Sequence, residues 1–142
     1  MIVLDSMVLS ALMREKPDTK ITGWINNQLP LAICTTAINT FEIRHGIQRL
    51  PAGLRRRSLA ANFERALSTI FLDRVLPFDA LAADHAARLW AERERRGLNI
   101  AIADTMIAGI VLAYGATIAT ANGKDFRDLG ARVINPWDAA DT

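Results

Sequence analysis

Short apolar runs alternate with longer stretches of helical periodicity along this chain, and that alternation constrains the fold more than any other feature. The runs are Ile2-Val3-Leu4, Leu31 to Thr35, Arg74 to Phe78, Thr117 to Thr120 and Arg132-Val133-Ile134. Each is too short for a helix and suits a strand, Ile2-Val3-Leu4 a buried one. Strands separated by helices run parallel, because a parallel pair needs a crossover connection. The pattern therefore predicts an α/β fold: a three-layer α/β/α sandwich around a mainly parallel central sheet.

The segments between the runs have helical spacing. Val8 to Met13 reads as a short helix. Asp18 or Thr19 caps a helix through about Leu29, with Ile21, Trp24, Ile25 and Leu29 on one face, and Pro30 ends it. Thr36 caps a helix from Ala37 to about Leu50, whose apolar side is Phe41, Ile43, Ile47 and Leu50. A long helix follows Gly53 as far as Ile70, and Asp79 caps another that ends near Gly97. Ile100 to Tyr114 is apolar on nearly every side, which predicts a helix buried between the sheet and another layer. Asn122 to Phe126 reads as a polar turn.

The 142 residues suit one domain, 1–142, and a chain that is 51% hydrophobic can bury a substantial core. No stretch reaches the ~18 apolar residues of a membrane span. The N-terminus lacks the basic cluster and small-residue cleavage site of a signal peptide. A single cysteine, Cys34, excludes an intramolecular disulfide and suits a reducing cytoplasm; within Leu31-Ala32-Ile33-Cys34 it reads as a buried small hydrophobe. Net charge is only +2, but arginines are clumped at Arg55-Arg56-Arg57 and at Arg93, Arg95 and Arg96. Such clusters serve a phosphate backbone, an acidic partner or simply a solvated helix face. His45 and His85 have no evident nucleophile and read as structural or surface residues.

Acids stand where apolar surroundings make them costly. Asp5 closes the first strand, and sites in open α/β sheets form at the carboxyl ends of strands. Asp104 is the only charge between Arg96 and Lys124. A buried, unpaired carboxylate costs several kcal/mol and needs a cation, a proton or strong donors. Glu42 follows Phe41 in the helix after the second strand, and Asp125 follows the Thr117–Thr120 strand. Carboxylates without histidine favour a hard cation, Mg²⁺ or Mn²⁺, over zinc. Each acid also has a plainer reading. Asp5 could cap a helix, Glu42 could face solvent, Asp104 could cap or pair in a salt bridge, and Asp125 could be a turn residue.

Taken in order, these segments resemble a known family. Met1-Ile2-Val3-Leu4-Asp5-Ser6 resembles the opening of PIN-domain nucleases. Thr36 to Gly46, with Glu42, resembles their second segment; Ala103-Asp104-Thr105-Met106-Ile107-Ala108 resembles the third. Thr120-Ala121-Asn122-Gly123-Lys124-Asp125-Phe126 resembles the fourth, and Val133-Ile134-Asn135-Pro136-Trp137 is similar to the ending of VapC toxins of the FitB-like branch. The resemblance implies a Mg²⁺-dependent endoribonuclease toxin, with Mn²⁺ as a substitute, acting on RNA in the cytoplasm. It also implies a homodimer neutralised by a cognate VapB- or FitA-type antitoxin, with DNA engaged only through that antitoxin. Asp5, Asp104 and Glu42 carry over as metal ligands and catalytic acids, and Asp125 as the fourth acid with Asn122 as a polar helper. Ser6, Thr120 and Asn122 are the expected substrate-binding residues.

The chain departs from the family at Met7, where Asn is common and a thioether cannot replace an amide. Met7 is the best support for a rival reading, a catalytically weak or silent PIN scaffold in an antitoxin-bound DNA-binding repressor complex. A DNA nuclease is a closer rival, because the same metal site cuts either polymer. A phosphatase or phospho-receiver built on Asp5 would need an acid near position 7.

Overall fold

The structure, a computed structural model, describes residues 1–139. Strands β1 (Ile2–Leu4), β2 (Ile33–Thr36), β3 (Val75–Leu76), β4 (Thr117–Ala119) and β5 (Arg132–Ile134) form one sheet in the order β3-β2-β1-β4-β5. Every pairing is parallel, with Val3 opposite both Cys34 and Ile118, and Leu4 opposite Ala119. Successive side chains leave opposite faces of a strand. Leu4, Ile33 and Ala119 therefore enter one core, and Val3, Cys34 and Ile118 the other.

Helices fill both cores. On the first face lie α1 (Ser6–Met13), α2 (Thr19–Asn26), α3 (Ala37–Gln48) and α4 (Leu54–Thr69). They bury Val8 and Leu9, Ile21 and Trp24, Ile43 and Ile47, and Phe63 and Leu67 respectively. On the second face lie α5 (Ala80–Arg95), α6 (Ile102–Ala113) and α7 (Gly123–Asp128). Ile107 and Val111 of α6 and Phe126 of α7 are buried there, with Leu89 of α5 packed against them. The short α8 (Pro136–Ala139) brings Trp137 to the start of α2, where its indole Nε1 donates to Asp18. The expected three-layer sandwich is thus present, and its sheet is wholly parallel. Among the described residues, no helix is long and apolar enough to cross a membrane.

Local expectations differ in four places. Helix α2 stops at Asn26, because Leu29 precedes a proline and adopts an extended backbone (ψ 126°). Leu29 is consequently 77% exposed, and a 3₁₀ turn over Pro30–Ala32 delays β2 to Ile33. Phe41 is 65% exposed, so the buried side of α3 rests on Ile43 and Ile47. The expected turn at Asn122 to Phe126 becomes helix α7, whose coiling carries Phe126 into the second core at 0% exposure. Finally, Arg93 is 4% exposed and cannot belong to a solvent-facing cluster with Arg95 and Arg96.

Helices α5 and α6 approach closely at Gly109. A Cβ there would lie 2.5 Å from the Ala82 carbonyl oxygen and 2.9 Å from the Ala86 Cβ. In an unobstructed helix, replacing Gly by Ala gains up to ~1 kcal/mol. Here the obstacle is backbone, which cannot swing aside. Gly109→Ala is expected to destabilise the protein by about 2 kcal/mol, as overpacked core substitutions do. Urea unfolding measures this directly, and a variant as stable as the parent would contradict the close helix approach.

Candidate active site at the carboxyl ends of the central strands

From β1 the chain moves outward through β2 to β3, then returns to the other side of β1 as β4 and continues to β5. The direction of winding reverses between β1 and β4, and a crevice opens at such a reversal, beyond the carboxyl ends of the strands. Asp5 directly follows β1 and Thr120 directly follows β4. The Asp5 backbone N–H donates to the Ala119 carbonyl at 3.0 Å, which ties the two ends together.

Asp5 occupies the N-cap position of α1, yet its side chain makes no capping bond. Its carboxylate instead accepts from the Asn39 amide (Nδ2 to Oδ1, 3.0 Å) and the Thr120 hydroxyl (Oγ1 to Oδ2, 2.7 Å). At 6% exposure it is buried, and both of its oxygens are satisfied. Ser6 begins α1 and donates from Oγ to Glu42 Oε1 at 2.8 Å, so Glu42 is held by the site and does not simply face solvent. Asn39 also donates to Ser6 Oγ at 3.0 Å. Sequence reasoning missed Asn39. The available signal was its place three residues after the Thr36 cap and three before Glu42, one turn apart on the same side of α3.

The fourth segment is equally ordered. Thr120 Oγ1 accepts from the Asn122 backbone N–H at 2.9 Å, and the Asn122 side-chain amide donates to Asp125 Oδ2 at 3.1 Å. Asn122 and Asp125 therefore act as a bonded pair. The buried Arg93 reaches across from α5 and donates through Nη2 to the Asp125 carbonyl at 3.0 Å. Its Nη1 has no hydrogen-bond partner among the described residues.

Asp104 lies in the first turn of α6, where the helix dipole ordinarily favours a charged carboxylate. Here the opposite effect wins. Burial, followed by the negative charges of Asp5, Glu42 and Asp125, pushes its pKa from 3.8 up to about 6. The three charges that act on it are the other three expected acids, contributed by the β1 end, α3 and α7. Among the described residues Asp104 has no ion-pair partner, so the salt-bridge alternative is set aside.

The acids sense one another without closing on one another: no three His, Cys, Asp or Glu side chains among the described residues form a ready ligand cage. The donor set nevertheless fits a hard cation. It is all oxygen, it is short of positive charge, and each Asp5 oxygen keeps a lone pair beyond the bond it accepts. Mg²⁺ in particular binds through one or two carboxylates and keeps several waters, so an open arrangement suits it.

The remaining candidates lie outside this network. Met7 is 53% exposed, and His45 is exposed and stacks on Phe41 with ring centroids 6.1 Å apart. Burial raises the Cys34 thiol to about 11, so it is inert as a nucleophile. Beside Glu42, a groove of about 340 Å³ runs between α1, α3 and α4, with Arg14 and Arg55 among its lining residues.

The PIN domain family model matches residues 2–132. The plasmid stability protein StbB of Pseudomonas syringae pathovar tomato is 39% identical, over 98% of this chain and 100% of its own length. A VapC ribonuclease of Sinorhizobium fredii is 36% identical, over 99% of this chain and 100% of its own. The crystal structure of FitAcB from Neisseria gonorrhoeae matches with a TM-score of 0.85 at 30% identity, covering 96% of this chain and 99% of that one.

Proposed function

Because this chain belongs to the PIN-domain family, we propose that it is a VapC-type ribonuclease toxin that hydrolyses RNA phosphodiester bonds with Mg²⁺, or Mn²⁺ in its place. One observation carries the reading: Asp5, at the end of β1, is linked to Glu42 through Asn39 and Ser6, and both acids, with Asp125, oppose the charge of Asp104. The similarity to a VapC ribonuclease over nearly the whole of both chains supports the choice of RNA as substrate.

When bound, the cation supplies a site for the scissile phosphate, a lowered pKa for the attacking water and neutralisation of developing charge. Asp5 and Asp104 would hold it, and Glu42 would complete the acidic set. Asp125, oriented by Asn122, would order water near it. The sequence suggested Ser6 and Thr120 as hydrogen-bond donors to the substrate phosphate or to a carboxylate. Each hydroxyl has a single proton, and these are committed to Glu42 and Asp5. We therefore assign both hydroxyls to holding carboxylates, and leave Asn122, with a second amide proton, as the substrate donor. A guanidinium from a cognate antitoxin would meet the same acids and silence them by bidentate pairing. In this reading the toxin works as a homodimer and meets DNA only through that antitoxin.

The test is cleavage of RNA by purified protein freed of any antitoxin. Cleavage is expected with Mg²⁺, to be lost with EDTA and to return with Mn²⁺. A short protein encoded beside this one should co-purify with it and relieve its toxicity. Protein that binds metal but never cuts single-stranded or structured RNA would support the silent scaffold, and preferential cutting of DNA would support the DNA nuclease.

A further inference from the structure

We propose that Asn39 is a positioning residue that sets the direction of the hydrogen bonds presenting Asp5 and, through Ser6, Glu42. The proposal rests on the metal-dependent nuclease reading above and identifies what holds that site in order.

Asn39 is 0% exposed, and each polar group of its side chain is engaged. Asp5, as a carboxylate, can only accept, so the Nδ2 end of the Asn39 amide faces the acids, donating to Asp5 Oδ1 and to Ser6 Oγ at 3.0 Å each. Oδ1 then faces Thr36, whose hydroxyl accepts the Asn39 backbone N–H at 3.1 Å and donates its one proton to Oδ1 at 2.6 Å. Ser6 Oγ, already accepting, sends its proton to Glu42 Oε1. Donation thus runs in one direction, from Thr36 to Asn39 to Ser6 to Glu42, with a branch to Asp5. Both acids are met only as acceptors, which keeps their carboxylates fixed and their remaining lone pairs free.

The fold does not require the amide for this. Thr36 already caps α3 by accepting from the Asn39 backbone, whatever the side chain at 39. A residue at this third helical position commonly returns its side chain to the cap's own backbone N–H. Asn39 instead turns toward residues 33 and 34 positions away. No other side chain of similar size does both tasks. Leucine has no donor, and aspartate would present acceptors to acceptors and add a fifth negative charge.

The experiment titrates Mn²⁺ alone into wild type, Asn39→Leu, Thr36→Val and Ser6→Ala, and measures RNA cleavage and melting on the same samples. Loss of a partner that orients a ligand ordinarily costs about 10–100-fold in metal affinity or activity. Asn39→Leu is expected to weaken Mn²⁺ binding and lower kcat within that range, with KM for RNA changed less than about twofold. Thr36→Val touches no acid but leaves Asn39 Oδ1 without its donor and loosens the amide, and should weaken Mn²⁺ binding several-fold. Ser6→Ala should do less than Asn39→Leu, because Asp5 keeps its donor. Adding Ser6→Ala to Asn39→Leu should cost little more, since both interrupt one relay. Should Asn39→Leu fail to fold, Thr36→Val and Ser6→Ala decide the matter. Wild type that binds and cuts, beside variants with lower melting points but unaltered Mn²⁺ affinity and kcat, would overturn the proposal and leave the nuclease reading standing. Wild type that neither binds Mn²⁺ nor cuts RNA would overturn both.

Discussion

Asp104→Asn is expected to reduce RNA cleavage by at least ~10³-fold while making the metal-free protein more stable at neutral pH. The substitution keeps the shape of the side chain and removes a charge that three other acids oppose. Because the pKa in the folded protein is raised, that state holds the proton more tightly than the unfolded chain does. Stability from this group is therefore complete below about 4 and is lost as pH rises through about 6. Asparagine does not titrate, so the variant's advantage should be absent at pH 4 and full above pH 7. Asp104 is only half-buried, and solvent screens the interaction. The gain is then about 1 kcal/mol, or a few degrees in Tm. Melting curves in EDTA from pH 4 to 8, with Mg²⁺-dependent cleavage on the same samples, provide the measurement. A variant that melts below wild type at neutral pH would show Asp104 to be a structural acid, and cleavage within tenfold of wild type would remove it from the mechanism.

Asp5→Ala is expected to abolish cleavage to the same degree but to move stability the other way. Asp5 is the acceptor for two buried donors, the Asn39 amide and the Thr120 hydroxyl. Without the carboxylate, the Thr120 hydroxyl proton loses its acceptor and Asn39 Nδ2 keeps only Ser6. Buried donors left unpaired cost about 1–3 kcal/mol each; relief of repulsion among the remaining acids offsets part of this, leaving a net loss of about 2 kcal/mol. The contrast between the two acids is the useful result: equal losses of activity with opposite changes in Tm. Urea unfolding without metal would expose an error in the hydrogen-bond network if Asp5→Ala proved as stable as wild type. Cleavage surviving in Asp5→Ala would defeat the assignment of the site altogether.

Part of this molecule is legible without coordinates. Short buried strands such as Ile2–Leu4 and Thr117–Ala119 announce themselves because an apolar run between polar breaks has one stable use in a globular fold. The parallel sheet follows from the helices between the runs, and the end of β1 puts Asp5 at a strand terminus. Asp104 stands out because a lone charge in an apolar helix demands an explanation. These are features of one stretch of chain at a time.

What lies between stretches was not legible. Asn122-Gly123 has the chemistry of a turn, and only the second core, by burying Phe126, makes that segment a helix. Arg93 reads as one of a run of surface cations until α5 packs and takes it inside. The division of labour among the acids belongs to this class as well. Asp5 meets Asn39 across 34 residues and Thr120 across 115, while the charges that act on Asp104 are like charges, those of Asp5, Glu42 and Asp125. The sequence by itself determined the alternation of elements, the parallel sheet and the presence of costly acids near strand ends, because periodicity and burial act locally along the chain. Only the tertiary structure decided which acid is satisfied and which is strained, because a hydrogen bond is made or lost within about 3 Å, a distance set by how separate elements pack.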